Sequence, residues 1–250
     1  MNQSTITEKF TELGYHGAKE AYLRQCETPV IQSLGFEERL FELLDAQTLF
    51  LKNKRIAMHS RLSKIKDKGA ALSQITYHPQ RRLNRELISS LASLDFIRHY
   101  QNVIITGKTG TGKSYLAQAF ANRAIEGGYK AYYVRMPSLL EEIRIARIDG
   151  TYTRLLKKYS RFTLLILDDF GIAPITPDDA TNLFEIIEER TQINSTIITS
   201  QLPVSEWYDY LNNNTIADAI LDRIVYSSHR IEMEGESMRK LQKIDTISVD

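Results

Sequence analysis

From residue 102 onward, short apolar runs alternate with amphipathic stretches. "NVIITG", "KAYYVRM", "LLILDDFG", "STIITSQ" and "HRIEME" read as strands, each a compact run of branched and aromatic residues bounded by turn-forming or polar ones. Between them the apolar positions recur at three- to four-residue spacing. "SYLAQAFANRAIEGG" predicts a helix stopped by paired glycines, and "SLLEEIRIARIDGTYTRLLKKYSRF" predicts two helices. "DDATNLFEIIEERT" predicts a helix with Asp178 or Asp179 near its cap, followed by a short helix at "VSEWYDYL" and a longer one at "IADAILDRIVYSS". This rhythm is that of an α/β domain with a mainly parallel central sheet flanked by helices.

The first hundred residues follow a different pattern. "FEERLFELLDAQTLFLKNKRIAMHSRLSKI" keeps a helical apolar spacing over its whole length and becomes basic towards its C-terminal half. "KDKGAALSQITYHP" interrupts it with Gly69 and Pro79, and "RRLNRELISSLASLDFIRHY" resumes a helical period before the first strand. A small helical, basic N-terminal region over residues 1–69 is therefore expected to precede an α/β domain over residues 70–250. No internal repeat or low-complexity tract intervenes.

Composition narrows the class. At 42% hydrophobic and 25% charged over 250 residues, the chain has the balance of a globular protein. No apolar run reaches the roughly 20 residues of a membrane span, and "MNQSTITEKF" lacks a signal-peptide pattern, so a cytoplasmic location without membrane contact is expected. The lone Cys26 excludes an internal disulfide framework, and the five histidines are too scattered for metal-ligand spacing, so no zinc site is expected.

The net charge of +1 conceals an asymmetry. Between Lys52 and Arg98 there are eleven Lys/Arg against three acids, or +8, leaving −7 on the rest. Lys52, Lys54, Arg55, Arg61, Lys64, Lys66 and Lys68, with the cluster Arg81, Arg82 and Arg85, are candidates for holding a polyanion, nucleic acid first among them; a solvated helix face is the plainer alternative. Arg154, Lys157, Lys158 and Arg161 form a second basic stretch open to the same two readings. Trp207 and the tyrosines of "SEWYDYL" suit a core or a subunit contact better than a base-stacking platform.

The strongest chemical signal is "GKTGTGKS", a P-loop pattern lying between a predicted strand and a predicted helix. Gly107, Gly110 and Gly112 permit the tight turn, and the helix that follows offers its positive N-terminus to phosphates. The expected nucleotide set is Gly107, Lys108, Thr109, Gly110, Thr111, Gly112, Lys113, Ser114 and Tyr115, with Lys113 reaching the β and γ phosphates and Ser114 holding Mg²⁺. Such a site needs a carboxylate at the end of a nearby strand for the magnesium, which "LLILDD" supplies as Asp168; Asp169 beside it would orient or deprotonate the attacking water.

Taken in order and spacing over roughly residues 70–245, "GKTGTGKS", "LLILDDFG", "IITSQLP" and "ADAILDRIVYSSHRIEMEGESMRK" resemble AAA+ ATPases of the IstB type, the transposition helpers of insertion sequences related to DnaC helicase loaders. The resemblance implies that "IITSQ" is a sensor 1 strand, so that Thr199, Ser200 or Gln201 would contact the γ-phosphate or the lytic water, Gln201 standing where loaders commonly have Asn. It implies that Arg223 is an arginine finger acting on the ATP of an adjacent subunit and that Arg239 is a sensor 2 arginine acting within its own; without the resemblance, Arg223 reads as a surface salt bridge and Arg239 as a solvated basic residue. It also implies ATP-dependent homo-oligomerisation on double-stranded DNA with little sequence preference, remodelling of that DNA, recruitment of a cognate transposase, and release governed by hydrolysis. Two other readings stay open: a replicative helicase loader, and a small-molecule P-loop kinase, which would have no use for a sensor strand or a trans-acting arginine.

Overall fold

The computed structural model describes residues 2–212 and 214–238, and the chain divides into two compact units between Met58 and His59. The first unit holds α1 (Gln3–Glu12), α2 (His16–Glu27), the single turn α3 (Pro29–Gln32) and most of α4 (Phe36–Leu62). Gly17 in α2 lies so close to α4 that a Cβ there would be 2.5 Å from the Ala46 carbonyl oxygen, and the Gln47 side chain accepts from the Gly17 N–H at 3.0 Å. No helix among the described residues is long and apolar enough to cross a membrane.

The second unit begins with the end of α4 and a basic loop, then α5 (Arg85–Ala92) and α6 (Asp95–Arg98). There follow β1 (Asn102–Gly107), α7 (Lys113–Glu126), β2 (Ala131–Arg135), α8 (Met136–Ile148), α9 (Tyr152–Ser160) and β3 (Leu164–Phe170). The series closes with α10 (Pro177–Glu188), β4 (Ser195–Ser200), α11 (Trp207–Leu211), α12 (Asn214–Val225) and β5 (Ser228–Met233). The five strands form one parallel sheet in the order β2-β3-β4-β1-β5. β1, β3 and β4 are interior strands covered on both faces; β1 and β3 read as apolar runs, whereas β4, equally buried, flanks two isoleucines with Ser and Thr whose hydroxyls are hydrogen-bonded, and β5 is an edge strand and alternates.

The core lies between this sheet and its helices. Leu164, Leu165, Ile166 and Leu167 of β3 have no exposed surface, each contributing on the order of 2 kcal/mol by burial. Trp207 is equally buried, its ring 4.4 Å from that of Phe170 and its indole N–H donating to the Leu202 carbonyl, so its role is packing. Arg190 is also fully buried. Its three nitrogens donate to Thr196 Oγ1 and to the carbonyls of Tyr159, Phe162 and Ser195, tying the β4 end of the sheet together.

The start of α10 has both expected acids near its cap and gives them different parts. α10 is capped by Thr176, whose hydroxyl accepts from the Asp179 N–H, while the Asp179 carboxylate reaches back to the Thr176 N–H at 2.9 Å. Asp179 is thus the return arm of a capping box, and Asp178 is only a first-turn acid.

A loop at the start of the second unit is docked onto α7. Gln118 Oε1 accepts from the N–H groups of Lys66 at 3.0 Å and Asp67 at 2.9 Å, while its Nε2 donates to the Ser114 carbonyl at 3.1 Å. Asn122 donates to the carbonyls of Asp67 and Ala70. Lys64, Lys66 and Lys68 consequently project from a fixed loop and are exposed.

Candidate active site

The C-terminal ends of β1, β3 and β4 converge beside the N-terminus of α7, the edge of a parallel sheet at which α/β proteins bind ligands. Gly112 caps α7 with φ 95°, a left-handed backbone that favours glycine. Gly107, with φ 147°, runs so near β5 that a Cβ would lie 2.1 Å from the Met233 carbonyl oxygen. Between them the P-loop turns into a helix whose first N–H groups have no intrahelical acceptor, the property that suits a helix start to anions. A cleft of about 470 Å³ opens there, with Thr109, Gly110, Lys113, Ser114, Tyr115 and Asp169 in its wall.

The polar groups of the loop hold one another in place. Lys113 Nζ donates to the carbonyls of Gly107 at 2.7 Å and Lys108 at 2.9 Å, leaving one of its three N–H donors. Burial pushes the Lys113 pKa down, an effect opposed by the charges of Asp168 and Asp169. Thr111 Oγ1 donates to the Lys108 carbonyl, and Thr109 Oγ1 donates to Gln201 Oε1 at 2.6 Å. Tyr115 donates to Gln74 Oε1 at 2.7 Å.

The adjacent acids occupy a β-bulge. β3 pairs regularly with β4 up to Leu167 opposite Ile198, and pairing resumes at Phe170 opposite Ser200, so β3 carries one residue more than its partner between those points. Asp169 absorbs it with φ 63°. In an unbroken strand neighbouring side chains point to opposite faces. At the bulge one hydroxyl joins the two residues: Thr199 Oγ1 donates to the Asp168 carboxylate and accepts from the main-chain N–H of Asp169 at 3.2 Å.

Asp168 is 2% exposed and accepts from three hydroxyls, Ser114 at 2.8 Å and Thr199 on one oxygen and Tyr133 on the other. Burial, reinforced by the bond to Asp168, pushes the Tyr133 pKa up and keeps that hydroxyl a donor. Asp169 has a cationic partner: Arg135 Nε donates to its Oδ2 at 2.7 Å, a bond that raises the Arg135 pKa. Of the three sensor candidates, Thr199 thus joins the acids and Gln201 joins the P-loop. Ser200 is spent on the main chain, donating to the Phe170 carbonyl and accepting from the Leu202 N–H.

Tyr133 and Arg135 were not singled out by the sequence. The signal lay in the topology: β2 neighbours β3, with Arg135 in register with Asp168, so the end of "KAYYVR" falls beside the acids. Arg81, by contrast, does not stand on open surface with Arg82 and Arg85; it lines the P-loop cleft. Arg82 is exposed and ion-paired with Glu234 at 2.9 Å, and Arg85 lies over the Tyr77 ring at 5.4 Å.

Arg223 is not brought to this cleft. It pairs with Glu188, covers the Phe184 ring, and has its carbonyl bonded by the Asn102 side chain at 3.2 Å. Asn102 opens β1 and Gly107 closes it, so Arg223 lies at the opposite end of a strand about 16 Å long from the P-loop of its own chain. Arg239 lies outside the described residues.

Residues 8–246 match the family model for IstB-like ATP-binding proteins. The insertion sequence ATP-binding protein y4uH of Sinorhizobium fredii is 39% identical over 232 residues, covering 93% of each chain. Among solved structures, the replication initiator DnaA bound to AMPPCP and single-stranded DNA superposes with a TM-score of 0.59 at 19% identity, over 75% of this chain and 58% of that one. The DnaC helicase loader gives 0.54 at 19% identity, over 68% of this chain and 99% of that one. These two likenesses are of fold, that of an AAA+ P-loop domain. By the family match across nearly its whole length, with a P-loop and paired acids in an AAA+ fold, the chain belongs to the IstB-like ATP-binding proteins of insertion sequences.

Proposed function

We propose that the protein is an ATPase that assembles on duplex DNA in its ATP-bound state, remodels that DNA and recruits a partner transposase, with hydrolysis controlling release. The observation that carries this reading is the cluster of Ser114, Asp168 and Thr199 at the end of the P-loop, in a chain whose relatives are insertion sequence ATP-binding proteins. The donor set fits magnesium: a hydroxyl and a carboxylate, both hard oxygen ligands, lie 2.8 Å apart beside the phosphate-binding turn. When bound, the ion neutralises phosphate oxygens during transfer.

The chain's own residues do the positioning. Ser114 and Asp168 hold the ion, Lys113 turns its remaining N–H to the phosphates, and Thr199 keeps the two acids in register. Asp169 orients the attacking water once it is released from Arg135, and Gln201 is the second sensor candidate. Arg223, far from its own P-loop, stabilises charge on the nucleotide of a neighbouring subunit. Residues 1–69, the first unit together with the docked loop that opens the second, form the DNA-binding and oligomerisation region, and residues 70–250 the ATPase. Lys52, Lys54, Arg55, Arg61, Lys64, Lys66 and Lys68, all exposed, neutralise DNA phosphates without reading bases.

The test combines an ATPase assay, with and without duplex DNA, and size-exclusion chromatography in ATP and in ADP. DNA-stimulated hydrolysis and an ATP-dependent larger species are expected, both lost in Lys113→Ala. Replacing Lys64, Lys66 and Lys68 together with Ala is expected to weaken DNA binding evenly across sequences and to flatten its salt dependence by about 1 in logarithmic slope per lost phosphate contact. A wild-type protein that stays monomeric in ATP and passes phosphate to a nucleoside sinks the reading.

A further inference from the structure

Arg81 is held on the wall of the P-loop cleft by two backbone carbonyls. Its Nη1 donates to Thr76 at 2.7 Å and its Nη2 to Thr111 at 3.0 Å. A Cβ built on Gly112 would lie 3.1 Å from that Nη2, so the guanidinium sits against the N-cap of α7. Its Nε is buried without a hydrogen-bond partner. A guanidinium carries five N–H donors, and the two bonds named use two of them.

The charge is as unmet as the donors. Burial pushes the Arg81 pKa down, and no carboxylate among the described residues offsets it. Other arginines of the unit differ: Arg135, Arg144, Arg147 and Arg223 each face a carboxylate, and Arg190 saturates all three nitrogens with protein acceptors. A half-buried cation with spare donors beside a phosphate-binding turn lacks an anion. The closed-off Nε shows how tightly the guanidinium is seated, and the Nη N–H groups not used by Thr76 and Thr111 are the donors left for an anion in the cleft.

We propose that Arg81 is a nucleotide-binding residue, a second cation that completes the phosphate cradle with Lys113 and takes phosphate oxygens common to ADP and ATP. This rests on the reading of the cleft as an ATP site. The shared phosphates are the targets because Asp168, Asp169 and Thr199 mark the hydrolytic end, and Arg81 bonds to none of them; its anchors are Thr76 on the far wall and the middle of the loop.

The experiment is calorimetric titration of the full chain with ADP and with ATP, in EDTA, at two salt concentrations. Arg81→Gln is expected to weaken both nucleotides alike by about tenfold or more, the loss of a charged hydrogen bond, and to flatten the salt dependence of binding. Arg81→Lys keeps the charge but not the fork, and is expected to lose affinity several-fold with the salt dependence retained. Trp207 emission, from the sole tryptophan, reports whether each variant is folded. If Arg81→Gln does not fold, Arg81→Lys carries the test, and wild-type affinity in it overturns the proposal. Unchanged nucleotide affinity in Arg81→Gln, or a loss with unchanged salt dependence, also overturns it, the latter marking a neutral brace. So does a loss of duplex DNA affinity without nucleotide, which would return Arg81 to the DNA-binding cluster. Wild-type protein that binds neither nucleotide overturns the ATP-site reading itself.

Discussion

Asp169 occupies a left-handed backbone that costs an ordinary side chain on the order of 1 kcal/mol, and it does so at the one point where β3 breaks register. Strain of this kind gathers where a side chain must be aimed. Asn tolerates the same backbone, so Asp169→Asn removes the charge and leaves the bulge intact. It is expected to bind ATP with near wild-type affinity and to lose turnover by about 10²–10⁴-fold, the contribution of a positioned base, measured by single-turnover hydrolysis. Normal hydrolysis in this variant would move the water-orienting role elsewhere. Arg135 restrains the same carboxylate, and Arg135→Ala is expected to raise turnover without DNA while narrowing the stimulation that DNA provides. At this scale the identity of the acids was legible in "LLILDD", because two adjacent carboxylates after a buried strand have few other uses. Their geometry was not: the bulge, Tyr133 and Arg135 all follow from which strand lies beside which.

At the scale of elements, the interior strands were legible to within a residue or two, β1 and β3 because burial on both faces leaves an apolar run and β4 because its residues are β-branched or small and bounded by polar ones. The long helix starting at Phe36 was equally plain from its spacing. Harder to see was the docking of the basic loop, which depends on the Gln118 and Asn122 side chains binding main-chain groups more than fifty residues earlier in the chain. Such bonds leave no periodic trace. The α10 cap was available in principle: Thr176, Pro177 and Asp179 make a capping box with proline at the first helical position, a pattern masked by the two acids beside it. Thr176→Ala is expected to cost about 1 kcal/mol, seen as a lower urea midpoint in Trp207 fluorescence. Thr176→Ser, which keeps the accepting oxygen, should restore most of it; failure to do so would assign the loss to the methyl group's packing.

At the scale of the whole molecule, the proposed role of Arg223 would leave the single chain incomplete as a catalyst, because Arg223 and the P-loop lie at opposite ends of β1. The proposed ATPase then depends on assembly. Mixing Arg223→Ala subunits with Lys113→Ala subunits is expected to recover part of the activity that neither has alone, because a mixed interface joins an intact finger to an intact loop. No recovery at any mixing ratio would argue against action between subunits. The ion pair with Glu188 means that Arg223 must first change partners, so Glu188→Gln is expected to raise turnover at low protein concentration. Gln118 adds a last consequence. Its one side chain joins the carbonyl of Ser114, the last P-loop residue and part of the first turn of α7, to the backbone beneath Lys66. If DNA rests on that loop and nucleotide on that turn, the two ligands share a free energy. Whatever factor nucleotide adds to DNA affinity, DNA must add to nucleotide affinity. A single titration of DNA with and without ATP would therefore state how strongly a target site can gather its own ATP-bound protein.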